Sequence, residues 1–241
     1  MYMKEIVLCI IVILLMIKIC DIILKERSKV KRIRDNVKKI KSSKSSARII
    51  QVDNSKTNIF LKDIILARFY YLGRFKYIKD IQSGKTKYAC GYINKKTIRK
   101  EERKSISHIK PKGWQKNTTT QVYNRCHLIA SILGGADSKQ NLITATRKLN
   151  ELMIPYEYKI KKYVLETKKP VVYTVIPVYL NDNLLCKGVL IEAYSVCDKG
   201  RSINFNVFIA NKQDDVKINY RSGEYTEKLK LKTKIKTNKT K

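Results

Sequence analysis

The sequence predicts an α+β domain, and two patterns carry that prediction. Five segments, TKYACGYI, TTTQVYN, PVVYTVIPVYL, CKGVLIEAYSV and INFNVFIAN, are rich in β-branched and aromatic residues and are punctuated by turn residues such as Asn181, Asp182 and Gly200. They read as strands of a substantial sheet. One stretch has a helical period instead, with Leu149, Leu152, Met153, Tyr156, Ile160, Tyr163 and Val164 recurring at three-and-four spacing.

The chain is expected to start with an apolar helix. Residues 6–17 are uninterrupted hydrocarbon, and the run extends to 24 if Lys18 and Asp21 are tolerated. At about 1.5 Å per residue the longer version spans roughly 28 Å, close to one bilayer core, while the shorter one has the length of a signal-peptide apolar region. No small-x-small cleavage site follows, and Lys18 and Ile19 before Cys20 do not suit a lipoprotein signal, so an uncleaved anchor is expected. Lys25, Arg27, Lys29, Lys31, Arg32 and Arg34 flank its C-terminal side. The positive-inside tendency would hold them in the cytoplasm, against an outward-facing domain.

Residues 25–48 are basic, dotted with serine and poor in apolar residues, and read as a linker. In the middle of the chain, HLIASIL reads as a short helix closed by Gly134 and Gly135. Pro155 suits a first helical turn and disfavours an interior, so the main helix is expected over 155–167, with Asn150 in the turn or short helix before it. Over 228–236 the chain alternates lysine with apolar or threonine residues, a pattern shared by a basic edge strand and a frayed tail, and 226–241 reads as a basic tail.

With 241 residues, 44% of them hydrophobic, the chain has room for one globular domain plus appendages. Its 52 basic residues against 20 acidic ones give a formal net charge of +32, which calls for a polyanionic partner: nucleic acid, an anionic membrane or an acidic polymer. AT-rich coding sequence favours the same residues, so charge alone names no function. Of the six cysteines, Cys9 and Cys20 lie in the apolar segment, and Cys90, Cys126, Cys186 and Cys197 lack metal-ligand spacing, which argues against zinc. Cys186 and Cys197 could pair across a hairpin in an oxidising compartment, although a free buried cysteine is the commoner outcome in such sequence.

The stretch YNRCHLIASILGG, 123–135, holds one of two histidines in the chain. Cys126 and His127 would point to opposite faces of an extended strand, so they cannot form a nucleophilic dyad. There is no HExxH, and His108 is the other histidine, so His127 is expected to act mostly alone. A lone imidazole suits general-base work. For phosphodiester hydrolysis it needs a divalent cation and arginines to hold the phosphate; Arg125 and Arg147 are close in sequence, and Asn141 and Asn150 carry oxygens that hard cations accept.

YNRCHLIASILGG, followed by NLITATRKLN at 141–150 and PYE at 155–157, resembles the DNA/RNA non-specific endonuclease family. The likeness continues through YYLGR, EERKSISHIKPKGW, GVLIEAYSV, FNVFIAN and INYRSGE, in order and across most of the middle of the chain. It implies a ββα-metal (His-Me finger) nuclease domain over 49–225 with a mainly antiparallel sheet, preceded by the segments 1–24 and 25–48 and followed by a tail over 226–241. By resemblance His127 takes the place of the general base, Asn150 that of the protein ligand to one Mg²⁺ (with Mn²⁺ as an alternative), and Asn141 that of the residue bracing the finger. Arg125 matches the motif arginine near the phosphate. Glu157 is assigned to the metal or its waters and Arg147 and Arg103 to the substrate, while Glu192 is read as structural. Asn124 and Cys126 depart from the family's usual aspartate and glycine.

The expected activity is cleavage of DNA, with RNA left open as a second substrate, without sequence preference, by a membrane-anchored or secreted protein facing the outside of a bacterial cell. Two rivals stand beside it: a surface DNA-binding or uptake protein that keeps the fold without cutting, and a toxin-like effector nuclease with a cognate inhibitor protein as partner.

Overall fold

The computed structural model describes residues 49–51, 75–102, 105–116 and 121–228. The N-terminal apolar segment, the basic linker, Arg103 and the tail beyond 228 lie outside them. Along the chain run β1 (Ile49–Gln51), β2 (Phe75–Lys79), β3 (Thr86–Ile93), β4 (Tyr123–His127), β5 (Leu142–Thr146), α1 (Arg147–Thr167), β6 (Val171–Val178), β7 (Gly188–Ser195), β8 (Asn204–Ala210), β9 (Val216–Ile218) and β10 (Tyr225–Glu227). None of the described helices is long and apolar enough to cross a membrane.

Six strands form one sheet in the order β1-β8-β7-β6-β3-β2, with every neighbouring pair antiparallel. Period-2 side-chain alternation puts Ala89, Tyr173, Val175, Ile191, Ala193, Val207 and Ile209 on one face, where they share a core with Leu149, Met153, Ile160 and Val164 of α1. Each of these larger aliphatic chains contributes about 1.5–3 kcal/mol by leaving water. The other face of the central strands is buried too, so β6 is buried along its whole length rather than at alternate residues. Glu192 belongs to that second face: it is buried, sits opposite Thr174 and Asn206, and its Oε1 accepts from Asn206 Nδ2 at 3.4 Å.

The helix is longer than its proline suggested. It begins at Arg147 and carries Pro155 in its interior. Pro155 removes one intrahelical donor, which frees the carbonyl of Glu151, but Glu151 is exposed and water can satisfy it. Buried Leu149 and Met153, before the proline, outweigh the local penalty by packing into the core. HLIASIL is likewise not one helix: His127 ends β4, and a single 3-10 turn spans Ser131–Leu133 and closes on Gly134 at φ 96°. Cys186 is buried, Cys197 is exposed, and both are free thiols.

Candidate active site

Strands β4 and β5 pair antiparallel from Tyr123↔Thr146 to His127↔Leu142, and α1 leaves β5 directly, giving two strands followed by a helix. The start of α1 is fixed on several sides. Thr146 Oγ1 caps it by accepting from Leu149 N at 3.1 Å, Thr146 N donates to Asn211 Oδ1 at 2.7 Å, and Arg147 N donates to Val122 O at 2.9 Å. Asn150, in the first turn, is therefore held in a set position relative to His127 at the end of β4.

The segment joining β4 to β5 is organised by Asn141, which is fully buried. Its Nδ2 donates to Ile129 O at 2.8 Å and to Ala136 O at 3.0 Å, and its Oδ1 accepts from Ile129 N at 2.9 Å. One amide thus replaces three missing backbone partners. Gly135 is needed beside it, because a Cβ there would lie 1.8 Å from Ile129 O and 2.8 Å from Asn141 Nδ2.

This loop also brings Asp137 to the histidine. His127 Nε2 and Asp137 Oδ1 are 2.9 Å apart, and Arg99 Nη1 donates to Asp137 Oδ2 at 2.8 Å while its Nη2 donates to Gly135 O at 3.2 Å. Burial opposes ionisation of Asp137, but the hydrogen bonds from Arg99 and His127 outweigh it and hold the carboxyl below its usual range. His127 therefore does not act alone. Asp137 is the one carboxylate between His127 and Asn150 in the sequence, a signal that could have singled it out; Arg99 is 38 residues from Asp137, and no local pattern links the two.

Two clefts meet at this point, and His127 and Asn150 line both. The first, about 290 Å³, is completed by Ile106, Trp114, Gln121, Tyr123, Asn124 and Arg125. Arg125 is held there by donating Nε to Ile109 O at 2.6 Å, with its guanidinium over the Trp114 ring at 4.0 Å. The second, about 330 Å³, adds Arg99, Glu101, Ile154, Glu157 and Tyr158 to the wall. Glu157 is 8% exposed and has no hydrogen-bond partner among the described residues; burial pushes its carboxyl up to about 7.

Of the residues singled out in the sequence, His127, Arg125, Asn150 and Glu157 come together around the clefts, with Asn141 buried behind them. Arg147 lines neither cleft and is exposed, its Nε paired with Glu151 Oε1 at 2.8 Å. Arg103 lies outside the described residues.

Residues 76–197 match the family profile described as DNA/RNA non-specific endonuclease, which is half of the chain. The chain belongs to that family. Among curated relatives of this endonuclease family, a deoxyribonuclease of Streptococcus dysgalactiae subsp. equisimilis is 33% identical over 116 residues, which cover 45% of this chain and 34% of that protein. The match thus spans about a third of that relative's length. Crystal structures of NucA from Streptococcus agalactiae, with no metal bound and with a magnesium ion bound, are 27% identical, cover 64% of this chain and 78% of theirs, and superpose with TM-scores of 0.55 and 0.57. The Sda1 nuclease with a bound zinc ion, 24% identical over 64% of this chain and 81% of its own, has the same fold at a TM-score of 0.54.

Proposed function

We propose that this member of the DNA/RNA non-specific endonuclease family is a Mg²⁺-dependent endonuclease that hydrolyses DNA, and also RNA, without reading sequence. The observation that carries the reading is the convergence of His127 and Asn150 on both clefts, with the buried Glu157 on one side and the clamped Arg125 on the other. A binding protein would need none of that convergence.

The residues present suit a divalent cation. Glu157 is a buried carboxylate with no donor among the described residues, and it lines the same cleft as Asn150, so two hard oxygen groups face one cleft and a cation would offset the carboxylate's lost hydration. Among the described residues no three His, Cys, Asp or Glu side chains gather as a metal cage, which favours a cation that keeps most of its own waters, as Mg²⁺ does. The magnesium-bound NucA structure supports the same choice. When bound, the cation would offset charge on the scissile phosphate and on the leaving 3′ oxygen.

The chain's own groups do the rest. His127 takes a proton from the attacking water, Arg125 orients the phosphate, Asn141 holds the segment between His127 and Asn150, and cleavage leaves 5′-phosphate ends. Asn150, being a neutral amide, leaves more of the cation's charge for the phosphate than a carboxylate would. The net charge of +32 holds substrate electrostatically, so affinity falls steeply with salt. The proposed layout is a membrane anchor or signal segment over 1–24, a linker over 25–48, the nuclease domain over 49–225 and a tail over 226–241, with the nuclease membrane-anchored or secreted and facing the outside of the cell.

The test is nicking of supercoiled plasmid by the full chain at low salt with Mg²⁺, with EDTA, and with His127→Ala. Metal-dependent nicking that vanishes in the variant is the expected result. Tight plasmid binding without cutting would overturn the reading in favour of a binding protein.

A further inference from the structure

The geometry points to Asp137 as the positioning residue for His127, and to Arg99 as the group that lets a carboxylate do this without trapping the imidazole in its protonated form. The inference rests on the reading of His127 as the general base and adds two residues that the sequence motif does not contain.

The argument starts from which groups can donate. Arg99 has only donors, and it occupies Asp137 Oδ2 at 2.8 Å. Asp137 is held in its ionised form and can only accept, so the short contact between its Oδ1 and His127 Nε2 requires the proton on Nε2. In the neutral imidazole the unprotonated nitrogen is then Nδ1, the one that would take the proton from water. The ring is 8% exposed and Asp137 13%, so bulk water competes little for either partner. Arg99 is fixed in turn by its second bond to Gly135 O, within the same loop that Asn141 braces. Ring, tautomer and loop are therefore set together before substrate arrives.

A carboxylate alone beside a histidine favours the imidazolium, which cannot accept a proton. The guanidinium on the other oxygen shares that negative charge. The other titratable or charged side chains lining the clefts around this ring, among the described residues, are Arg125 and Tyr123 on one side and Glu101, Glu157 and Tyr158 on the other. In the resulting step, water gives one proton to Nδ1 and its oxygen pair forms the new bond to phosphorus. The bond from phosphorus to the 3′ oxygen breaks with its pair on that oxygen, which takes a proton from solvent.

Two measurements on the full chain in detergent solution test this. The first does not depend on cleavage: the ring-nitrogen shifts of ¹⁵N-labelled His127, assigned against His108→Gln, should show a protonated Nε2 and a bare Nδ1 above neutral pH. A protonated Nδ1 would overturn the proposal whether or not the protein cuts. The second is Asp137→Asn. Arg99 would take the amide oxygen, leaving the amide N–H₂ to face Nε2, which must then accept and move the ring proton to Nδ1. The expected result is a fall in kcat of about 100-fold or more with KM little changed.

Arg99→Gln is expected to move the acid limb of the pH–rate profile upward, whatever its effect on the plateau rate. Unchanged kcat in folded Asp137→Asn, or an unmoved acid limb in Arg99→Gln, would overturn the positioning role. If the wild type fails to cut but the tautomer is as stated, the nuclease reading falls and the Asp137–His127 geometry survives it.

Discussion

Among the described residues, the cleft on the Trp114 side of His127 has one arginine and no acid in its wall, whereas the cleft on the Tyr158 side sets Arg99 against Glu101 and Glu157. On the proposed reading, this difference would draw the polyanion toward the first wall and the cation toward the second. His127 and Asn150 line both clefts, so they stand where the two ligands would meet. In the sequence the same residues form one crowded motif. In space they divide by charge.

The largest effect is expected from removing a shared residue. His127→Ala should lower cleavage by about 10²–10⁴-fold under saturating DNA and Mg²⁺ while leaving plasmid affinity in EDTA intact, as read by single-turnover kinetics beside a binding titration. Loss of affinity in parallel would mean that the residue serves the fold. On the acidic side, Glu157→Gln should raise the Mg²⁺ concentration needed for half-maximal cleavage by about 10–100-fold without changing metal-free DNA binding. If DNA binding changed instead, the two clefts would not divide as described.

The same variant makes a prediction about stability. The Glu157 carboxyl is raised from 4.5 to about 7 in the fold. Below pH 4.5 both states are protonated and nothing is lost; between the two values the unfolded chain releases the proton that the folded one keeps, so stability falls as pH rises. Above pH 7 the full cost of about 3 kcal/mol is present without metal. Glu157→Gln should therefore raise the metal-free denaturation midpoint at pH 8 and do little at pH 4, and Mg²⁺ should raise the wild type more than the variant.

The smallest effect belongs to the acid-free side. Arg125→Ala should weaken binding about evenly across DNA sequences and reduce the slope of log affinity against log salt by about 1. A change confined to some sequences would give Arg125 a reading role instead.

The parts of the molecule built from side-chain volume were legible in the sequence. The runs that became β3, β6, β7 and β8 announce themselves by branched and aromatic residues that need a sheet on either side. Strand β5 carried a weaker signal: LITAT has β-branched Ile143, Thr144 and Thr146, but it is five residues long, has no aromatic residue and pairs with β4 outside the main sheet. The helix start was misplaced because a local proline rule met a tertiary core containing Leu149 and Met153. At the site, the motif gave His127, Arg125, Asn141 and Asn150, but the Arg99–Asp137–His127 set joins distant segments through side-chain contacts alone.

The tie between Gly135 and Asn141 bears on how mutational scans of this loop should be interpreted. Exposed Lys139 and Gln140 should accept nearly any side chain, while Gly135 should accept none, since a Cβ has no room against Ile129 O. A library selected for activity would rank Gly135 and Asn141 beside His127 and so mistake scaffolding for chemistry. Sorting the same library for solubility or protease resistance would separate them, because only the two scaffold positions should fail that screen.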